Sequence, residues 1–289
     1  MPQSKSEIQS LLAAAGAEPR HRFGQNFMID QNLVRLVADA GGIGPADLVI
    51  EVGPGTGTLT DELLARAAAV APPADVLAVE IDRDLAALAR DRLADNPRFS
   101  LIEGDALANK HSLNADLAAA IAAARAAGRT ARLVANLPYN IASPLVIELL
   151  VAGVESLAFV VQKEVGDRLK GKPGTDDYGP ITVMAQLLAD VEVLRKLPPA
   201  AFWPAPKIDS ALVRMTRRDR LGARAAPFTR FVHAVFASRR KTLRKALVQA
   251  GYDADALVAA LALDPQCRAE ELPPETFLAM FERATPAPE

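Results

Sequence analysis

Apolar runs of six or seven residues alternate with helix-like stretches from residue 30 to about residue 165. Short connections between such runs predict a mostly parallel sheet covered by helices on both faces, an α/β fold of the Rossmann-like type. The predicted strands are 47–52, 75–80, 98–104, 132–137 and 156–162. Two further runs, 190–197 and 209–217, predict an antiparallel pair at one edge, which brings the sheet to seven strands.

The pattern changes after Arg218, where amphipathic helical stretches replace the alternation. Residues 227–250 predict one long helix, because Pro227 stands near its start and Gly251 just past its end. We therefore expect a catalytic domain over 1–220 and a small all-α domain over 221–289. Two segments rich in glycine and proline, 170–179 and 197–209, are expected to be loops.

Charge is distributed unevenly along the chain. The net charge is only −2, yet the window from Arg214 to Lys245 holds eleven Lys or Arg and one acid. That window carries +10 against −12 for the remainder, which favours a polyanionic partner. A single cysteine, no apolar run of about 18 residues and a polar amino terminus predict a cytoplasmic protein without a membrane span.

A glycine-rich segment, EVGPGTGTLT, follows the first predicted strand. Gly53, Gly55 and Gly57 let the backbone turn tightly and approach a ligand. The spacing departs from the dinucleotide pattern G-x-G-x-x-G, because Thr58 stands at the third glycine position. Pro54 also lacks an N–H, so the loop has one donor fewer for a pyrophosphate.

An acidic residue stands at or beside the carboxyl end of each of the first three predicted strands. Glu51 precedes the glycine loop, Glu80 ends the second strand and Asp105 follows the third. Carboxylates at the carboxyl ends of parallel strands surround the binding crevice of an open α/β sheet. Glu80 is placed to accept from ribose hydroxyls, and Asp105 from an adenine amino group. A cofactor with ribose, adenine and a positive centre but no phosphate fits, which points to S-adenosylmethionine and to no metal.

The fourth strand ends in NLPY, residues Asn136 to Tyr139. The amine of adenine is a poor nucleophile, because its lone pair is delocalised into the ring. The Asn136 side-chain carbonyl and the backbone carbonyl of Leu137 or Pro138 are able to accept its two hydrogens. Tyr139 offers a face on which an extruded base can stack. By itself the tetrapeptide is also typical of a plain turn. Together with the glycine loop and the three acids it predicts methyl transfer to an exocyclic base amine, a reaction that depends on proximity and hydrogen-bond alignment.

Taken together, these motifs resemble those of the ribosomal RNA adenine N6-dimethyltransferases. The similar segments are RFGQNFMID, EVGPGTGTLT, VEIDRDL, EGDAL, NLPYNIASPL, VVQKEVGDRL, YGPITVMAQ, FWPAPKIDSALVR and FASRRKTLRKAL. The resemblance implies cofactor contacts at Gln25, Asn26, Met28, Gly53, Gly55, Glu80, Asp105 and Asn136. It implies RNA contacts at Arg22, Arg239, Arg240, Lys241, Arg244 and Lys245. Met28 and His21 depart from the usual leucine and the usual Lys or Arg.

Within that family the chain is most similar to bacterial enzymes that dimethylate two adjacent adenosines near the 3′ end of 16S rRNA. The resemblance implies that substrate within the immature small ribosomal subunit, a role in ribosome biogenesis and no obligate protein partner. Three alternatives stay open. They are a large-subunit enzyme of the antibiotic-resistance type, a DNA adenine methyltransferase and an assembly factor without catalysis. Leu137 disfavours the DNA enzyme, which usually carries proline there.

Overall fold

Seven strands form the central sheet in a computed structural model of the chain, which describes residues 3–20 and 23–284. His21 and Arg22 lie outside the described residues. Up to the end of the last parallel strand the elements are α1 (Lys5–Ala14), β1 (Phe27–Met28), α2 (Gln31–Ala40), β2 (Leu48–Val52), α3 (Thr58–Ala69), β3 (Asp75–Glu80), α4 (Arg83–Leu93), β4 (Phe99–Glu103), β5 (Leu107–Asn109), β6 (Ser112–Leu113), α5 (Ala115–Ala126), β7 (Ala131–Asn136), α6 (Ala142–Ala152) and β8 (Ser156–Gln162). The remaining elements are α7 (Lys163–Leu169), α8 (Pro180–Leu188), β9 (Ala189–Leu197), β10 (Phe202–Trp203), β11 (Ser210–Arg217), α9 (Ala225–Phe236), α10 (Leu243–Gln249), α11 (Ala254–Ala260) and α12 (Pro274–Ala284).

The strands of the sheet lie in the order β4-β3-β2-β7-β8-β11-β9. β2, β3, β4, β7 and β8 are parallel, and β11 pairs with β8 in the antiparallel sense. The chain moves outward from β2 to β4 and then returns to the other side of β2. The topological switch point therefore lies between β2 and β7, and ligands of open α/β sheets bind outside the carboxyl ends of the strands at such a point.

Burial explains why these strands form where they do. All five residues of β2 are buried, as are six of the seven residues of β8. Near-continuous apolar runs suit strands that are covered on both faces. α2 and α3 supply part of that cover, since Val34, Val37 and Leu63 are fully buried in the same cluster as Val49 and Val134. The predicted α/β fold is confirmed.

The chain divides into two compact units that differ from the predicted domains in one respect. One unit runs up to residue 166 and adds 192–217, and the other comprises 167–191 and the chain from 218 onward. The second unit is helical around an aromatic core, in which the rings of Phe231 and Tyr252 meet edge to face at 5.0 Å. The segment 167–191, which contains α8, joins this unit although its sequence lies far upstream.

The single long helix predicted over 227–250 is wrong. α9 ends at Phe236, residues 237–242 form a turn, and α10 begins at Leu243. Thr242 has an extended backbone, with ψ at 153°, and the Leu243 N–H donates to the carbonyl oxygen of Cys267 at 2.7 Å. Breaking the helix lets both apolar faces enter one core, where Leu243 and Leu247 are fully buried.

The two segments expected to be loops differ in outcome. Residues 170–179 contain no helix or strand, as predicted. Residues 197–209 instead contain a 3-10 turn at Pro199–Ala201 and the short strand β10, which pairs with β1. The prediction for 197–209 is therefore wrong in part. Pairing with a strand far away in the chain, rather than local composition, gives this segment its structure.

Candidate functional site

An open crevice of about 920 Å³ lies at the switch point of the sheet. The glycine loop, the ends of β3, β4 and β7, and residues 23–28 line it. Among the predicted site residues, those that line the crevice are Gln25, Asn26, Met28, Gly53, Gly55, Glu80, Asp105, Asn136 and Pro138. Leu137 and Tyr139 stand outside this lining. Residues from five separate stretches of sequence therefore meet at one concave site.

The glycine loop needs its glycines for two different reasons. Gly53, Gly55 and Gly57 have φ angles of 74°, 60° and 87°, in the left-handed region that other residues seldom adopt. A Cβ on Gly55 would lie 2.8 Å from Cε1 of Phe27, and one on Gly53 would lie 3.5 Å from Cγ of Pro138. The bare backbone thus forms a cradle beside the crevice that side chains would fill.

Glu80 is held at the end of β3 by two backbone donors. The Asp82 N–H donates to its Oε1 at 2.9 Å, and the Gly55 N–H donates to its Oε2 at 3.2 Å. Burial raises the pKa of the Glu80 carboxyl, while these two hydrogen bonds lower it. Each oxygen keeps acceptor capacity, so the carboxylate is oriented to receive a pair of hydroxyls such as those of a ribose.

Two further acids lie at the crevice, one buried beneath the glycine loop and one exposed at the mouth. Glu51 is buried under the glycine loop, where the Thr60 hydroxyl donates to it at 2.7 Å. Burial raises the pKa of Glu51 to about 8. Asp105 is exposed at the mouth, and its Oδ1 accepts from the Leu107 N–H at 3.0 Å, which fixes the direction of the carboxylate. The oriented carboxylate of Asp105 suits the amino group of an adenine-bearing cofactor.

Asn136 connects β7 to the amino-terminal segment. Its side-chain Nδ2 donates to the carbonyl oxygen of Asn26 at 2.7 Å. Because Nδ2 is the only part of the amide that can donate, this bond assigns the other end as the carbonyl oxygen Oδ1. No donor within 3–20 or 23–284 is bonded to that Oδ1. Asn136 thus places an oriented carbonyl oxygen at the crevice.

The other three residues of the tetrapeptide have distinct environments. Leu137 is buried, and its N–H donates to the Val160 carbonyl oxygen at 3.1 Å. The Pro138 carbonyl oxygen accepts from the Ile141 N–H at 3.2 Å. Tyr139 is half-buried, its hydroxyl shares a hydrogen bond of 2.7 Å with the Ser210 hydroxyl, and burial raises its pKa. This tether fixes the ring by its far end.

Arg20 and Gln25 are fastened to the amino terminus of α4. Arg20 forms ion pairs with Asp82 at 2.7 Å and Asp84 at 2.5 Å. The Gln25 Oε1 accepts from the Arg20 N–H at 2.7 Å, and the Gln25 Nε2 donates to Asp82 at 3.0 Å. Both ends of the Gln25 amide are therefore engaged within the protein. Asp82 is buried and is the residue that sequence reasoning missed, although it stands in the motif VEIDRDL.

A short sheet holds the next part of this segment. Phe27 and Met28 of β1 pair with Trp203 and Phe202 of β10. The rings of Phe27 and Trp203 stack with centroids 6.4 Å apart. Trp203 therefore packs on Phe27, which forms one wall of the crevice.

The predicted RNA-binding residues of the second unit lie in the 237–242 turn and on α10. Arg239 pairs with Glu270 at 2.5 Å, and Arg244 pairs with Asp255 through two hydrogen bonds of 2.7 and 2.8 Å. Among these predicted residues, the exposed cations that have no ion-pair partner in the described chain are Arg240, Lys241 and Lys245. Arg22 lies outside the described residues.

The crevice residues fit S-adenosylmethionine by their chemistry. Glu80 and Asp105 are acceptors for the hydroxyl and amino groups of a nucleoside, and the glycine loop leaves room for close approach. The doubly wound sheet and this donor set define a class I S-adenosylmethionine-dependent methyltransferase.

The chain belongs to the ribosomal RNA adenine dimethylase family, whose profile matches residues 16–285. It is thus an S-adenosylmethionine-dependent enzyme whose substrate is ribosomal RNA. Similar proteins include the ribosomal RNA small subunit methyltransferase A of Moorella thermoacetica, 38% identical over 93% of both chains. That of Hahella chejuensis is 43% identical over 89% of both, and that of Rhodospirillum rubrum is 40% identical over 94% of this chain and 90% of the relative.

Solved structures show the same fold. The 23S rRNA methyltransferase ErmE superposes with a TM-score of 0.59 at 27% identity, over 90% of this chain and 99% of that one. A dimethyladenosine transferase from Plasmodium falciparum superposes with a TM-score of 0.66 at 21% identity, over 88% of this chain and 95% of that one. No helix within the described ranges is long and apolar enough to cross a membrane.

Proposed function

We propose that this chain transfers methyl groups to N6 of two adjacent adenosines near the 3′ end of 16S rRNA, within the immature small subunit. The names and near-complete coverage of its 38–43% identical relatives support this substrate. The observation that carries the chemistry is the Asn136–Asn26 hydrogen bond, which orients an acceptor oxygen beside the glycine-loop crevice. Ribosome assembly places this work in the cytoplasm and within ribosome biogenesis.

S-adenosylmethionine, when bound, supplies a methyl group on a sulfonium centre. The protein has to hold the N6 amine of adenosine in line with that methyl. Asn136 Oδ1 accepts one N6 hydrogen. We assign the second to the Leu137 carbonyl, since the Pro138 carbonyl oxygen already uses one of its two lone pairs for the Ile141 N–H. Two acceptors favour a pyramidal nitrogen whose lone pair is directed at the methyl, and such preorganised dipoles contribute about 100-fold or more to a rate.

The target adenine needs an aromatic surface to stack on once it has been extruded from the RNA. Tyr139 adjoins the acceptors in sequence, and its hydroxyl is tied to Ser210, so the ring is already ordered before the nucleotide arrives. Base–aromatic stacking is worth about 1–3 kcal/mol per base. We assign Tyr139 this stacking role, and we assign cofactor binding to the predicted cofactor-binding residues that line the crevice, apart from Gln25.

The second unit supplies cations for the phosphate backbone. Arg240, Lys241 and Lys245 are exposed and carry no ion-pair partner in the described part of the chain, so they are available to RNA. Arg239 and Arg244 are engaged with Glu270 and Asp255. We therefore propose that residues 221–289 bind RNA mainly through the three unpaired cations. Gln25 holds the amino-terminal segment in place and reaches the cofactor only through that segment.

A second candidate is methylation of large-subunit rRNA, which the likeness to the 23S rRNA methyltransferase favours. The relatives named for the small subunit are more similar, at 38–43% identity against 27%. Incubation with labelled S-adenosylmethionine and immature small subunits, large subunits or duplex DNA separates the alternatives. Digestion of the RNA should reveal N6,N6-dimethyladenosine in the small subunit alone.

Asn136→Ala is the inactive arm of this experiment, and Asn32→Ala, at an exposed asparagine on α2, is its matched control. The control should retain full labelling of small subunits. Label confined to large-subunit RNA or to DNA would overturn the proposed substrate. Absence of label from all three, with cofactor binding intact, would instead support an assembly factor without catalysis.

A further inference from the structure

The amino-terminal helix α1 packs against the rest of the first unit. Its sequence alone does not predict which residues it contacts. Ser4 caps the helix through a capping box with Glu7, so its first turn is well defined. Ile8 and Leu12 are buried in a small cluster with Ala17, Phe27 and Leu85. Since Phe27 forms a wall of the crevice, α1 is packed directly behind that wall.

The side chain just before this helix reaches the glycine loop. Gln3 is only 6% exposed and makes three hydrogen bonds across 53 or 55 residues of sequence. Its Nε2 donates to the Thr56 carbonyl oxygen at 2.9 Å. Its Oε1 accepts from the hydroxyls of Thr56 and Thr58, both at 2.8 Å. One amide thus satisfies a backbone carbonyl and two buried hydroxyls of the loop.

The backbone of the glycine loop can adopt several conformations, so the loop depends on hydrogen bonds from other residues to keep one shape. It contains three glycines with positive φ, and helix α3 begins at Thr58 without a side-chain cap. The other donor to the Thr56 carbonyl oxygen is Arg92 Nη1, at 2.5 Å. Thr56 and Thr58 line the crevice, whereas Gln3 does not. Gln3 therefore holds the loop from the side that the cofactor does not touch.

We infer that Gln3 is a positioning residue that holds the Gly53–Thr58 loop in the shape that binds S-adenosylmethionine. The inference rests on the proposed cofactor site at the crevice. Without Gln3 the two threonine hydroxyls lose their acceptor and the Thr56 carbonyl loses one donor, and unpaired buried polar groups are costly. The loop then relaxes into other arrangements, and the cofactor has to select the competent one, which lowers its apparent affinity.

The test compares Gln3→Met, which keeps the length of the side chain but makes no hydrogen bond, with wild-type protein. We expect the Kd for S-adenosylhomocysteine, measured by calorimetry, to rise about tenfold, the effect of losing one or two buried hydrogen bonds. RNA affinity and kcat at saturating S-adenosylmethionine should stay within about twofold of the wild-type values. The substitution should therefore raise the KM for the cofactor. Gln3→Glu retains the acceptor for both hydroxyls and should restore part of the affinity.

Two controls separate positioning from a general loss of structure. Ser4→Ala loosens the cap of α1 but leaves the hydrogen bonds between the Gln3 amide and the loop intact, and it should leave the Kd unchanged. Thr58→Val removes the hydrogen bond that the Thr58 hydroxyl donates to Gln3. It replaces Gln3→Met as the test variant if Gln3→Met does not fold. A double variant, Gln3→Met with Thr58→Val, should weaken binding by less than the product of the single effects.

Some outcomes of these binding measurements would contradict the role assigned to Gln3. An unchanged Kd in Gln3→Met, or in Thr58→Val where Gln3→Met does not fold, would overturn the inference, as would an equal loss in Ser4→Ala. Glu80→Ala provides the reference for the site itself. If Glu80→Ala weakens binding and Gln3→Met does not, only the role of Gln3 fails, whereas an unaffected Glu80→Ala would reject the proposed cofactor site.

Discussion

Asn136 donates a hydrogen bond of 2.7 Å to the backbone carbonyl oxygen of Asn26, a residue 110 positions earlier in the chain. This bond joins the end of β7 to the segment that lines the opposite side of the crevice. It also decides which end of the Asn136 amide remains to accept from a substrate. The proposed chemistry depends on this orientation, because only the oxygen can accept a hydrogen of an incoming amine.

Replacement of Asn136 should therefore separate catalysis from cofactor binding. In Asn136→Ala we expect kcat for rRNA methylation to fall about 100-fold or more, as for loss of an oriented transition-state acceptor or donor. The Kd for S-adenosylhomocysteine should rise only a few-fold, since the glycine loop and Glu80 are untouched. Single-turnover methylation and calorimetry measure the two quantities. Wild-type turnover in this variant would remove Asn136 from the mechanism.

Tyr139 should respond differently to loss of its hydroxyl and loss of its ring. Tyr139→Phe leaves the buried Ser210 hydroxyl without this partner, so we expect the free energy of unfolding to fall by about 1 kcal/mol. Its ring is retained, and rRNA methylation should stay within a few-fold of wild type. Tyr139→Ala should reduce kcat/KM for rRNA about tenfold or more, because the base loses its stacking surface. Equal activities of the two variants would contradict the stacking role.

Glu51 should make stability depend on pH. Burial, and then the nearby carboxylates of Asp61 and Glu80, raise its pKa from 4.5 to about 8, although the Thr60 hydroxyl opposes the shift. Between these values the folded chain holds a proton that the unfolded chain has released. The stability associated with this group is fully present below about pH 4.5 and is lost as the pH rises through about 8.

The variant Glu51→Gln lacks this titration and keeps an oxygen for the Thr60 hydroxyl. We expect wild-type protein to lose stability relative to Glu51→Gln as the pH rises across that range. Denaturant unfolding of both proteins at a series of pH values measures the difference in free energy. A difference that does not change with pH would show that Glu51 titrates normally.

The unpaired cations of the second unit should contribute to the salt dependence of RNA binding. Removing one cation that neutralises a phosphate lowers the slope of log Kd against log salt by about 1 unit. We expect this change for Arg240→Glu and for Lys241→Glu, measured by filter binding to small-subunit rRNA at several salt concentrations. Lys110→Glu, at an exposed lysine of the first unit, is the control and should leave the slope unchanged. Unaltered slopes in all three variants would remove this turn from the RNA interface.

The sequence predicts the central strands of the sheet well because they are buried on both faces. β2 and β8, predicted at 47–52 and 156–162, occupy Leu48–Val52 and Ser156–Gln162. Carboxyl ends of parallel strands share one edge, and so the gathering of Gly53, Glu80 and Asn136 follows from the same pattern. These inferences use only local periodicity and the topology that it implies.

What the sequence does not predict depends on contacts between distant residues. The break between α9 and α10 follows from packing, as Phe231 meets Tyr252 only when the chain folds back. Nothing near Gln3 indicates that its amide lies against Thr56, 53 residues away. Gln25 resembles a cofactor ligand in its motif, yet both ends of its amide bond to Arg20 and Asp82.

The central claim is that one crevice brings the cofactor and the target amine together, with Asn136 between them. A crystal structure of the protein with S-adenosylhomocysteine and adenosine tests it most directly. We predict that the adenosine N6 lies about 3 Å from both Asn136 Oδ1 and the Leu137 carbonyl oxygen, with the cofactor ribose on Glu80. A nucleoside bound away from Asn136, or a cofactor outside the glycine loop, would contradict the account.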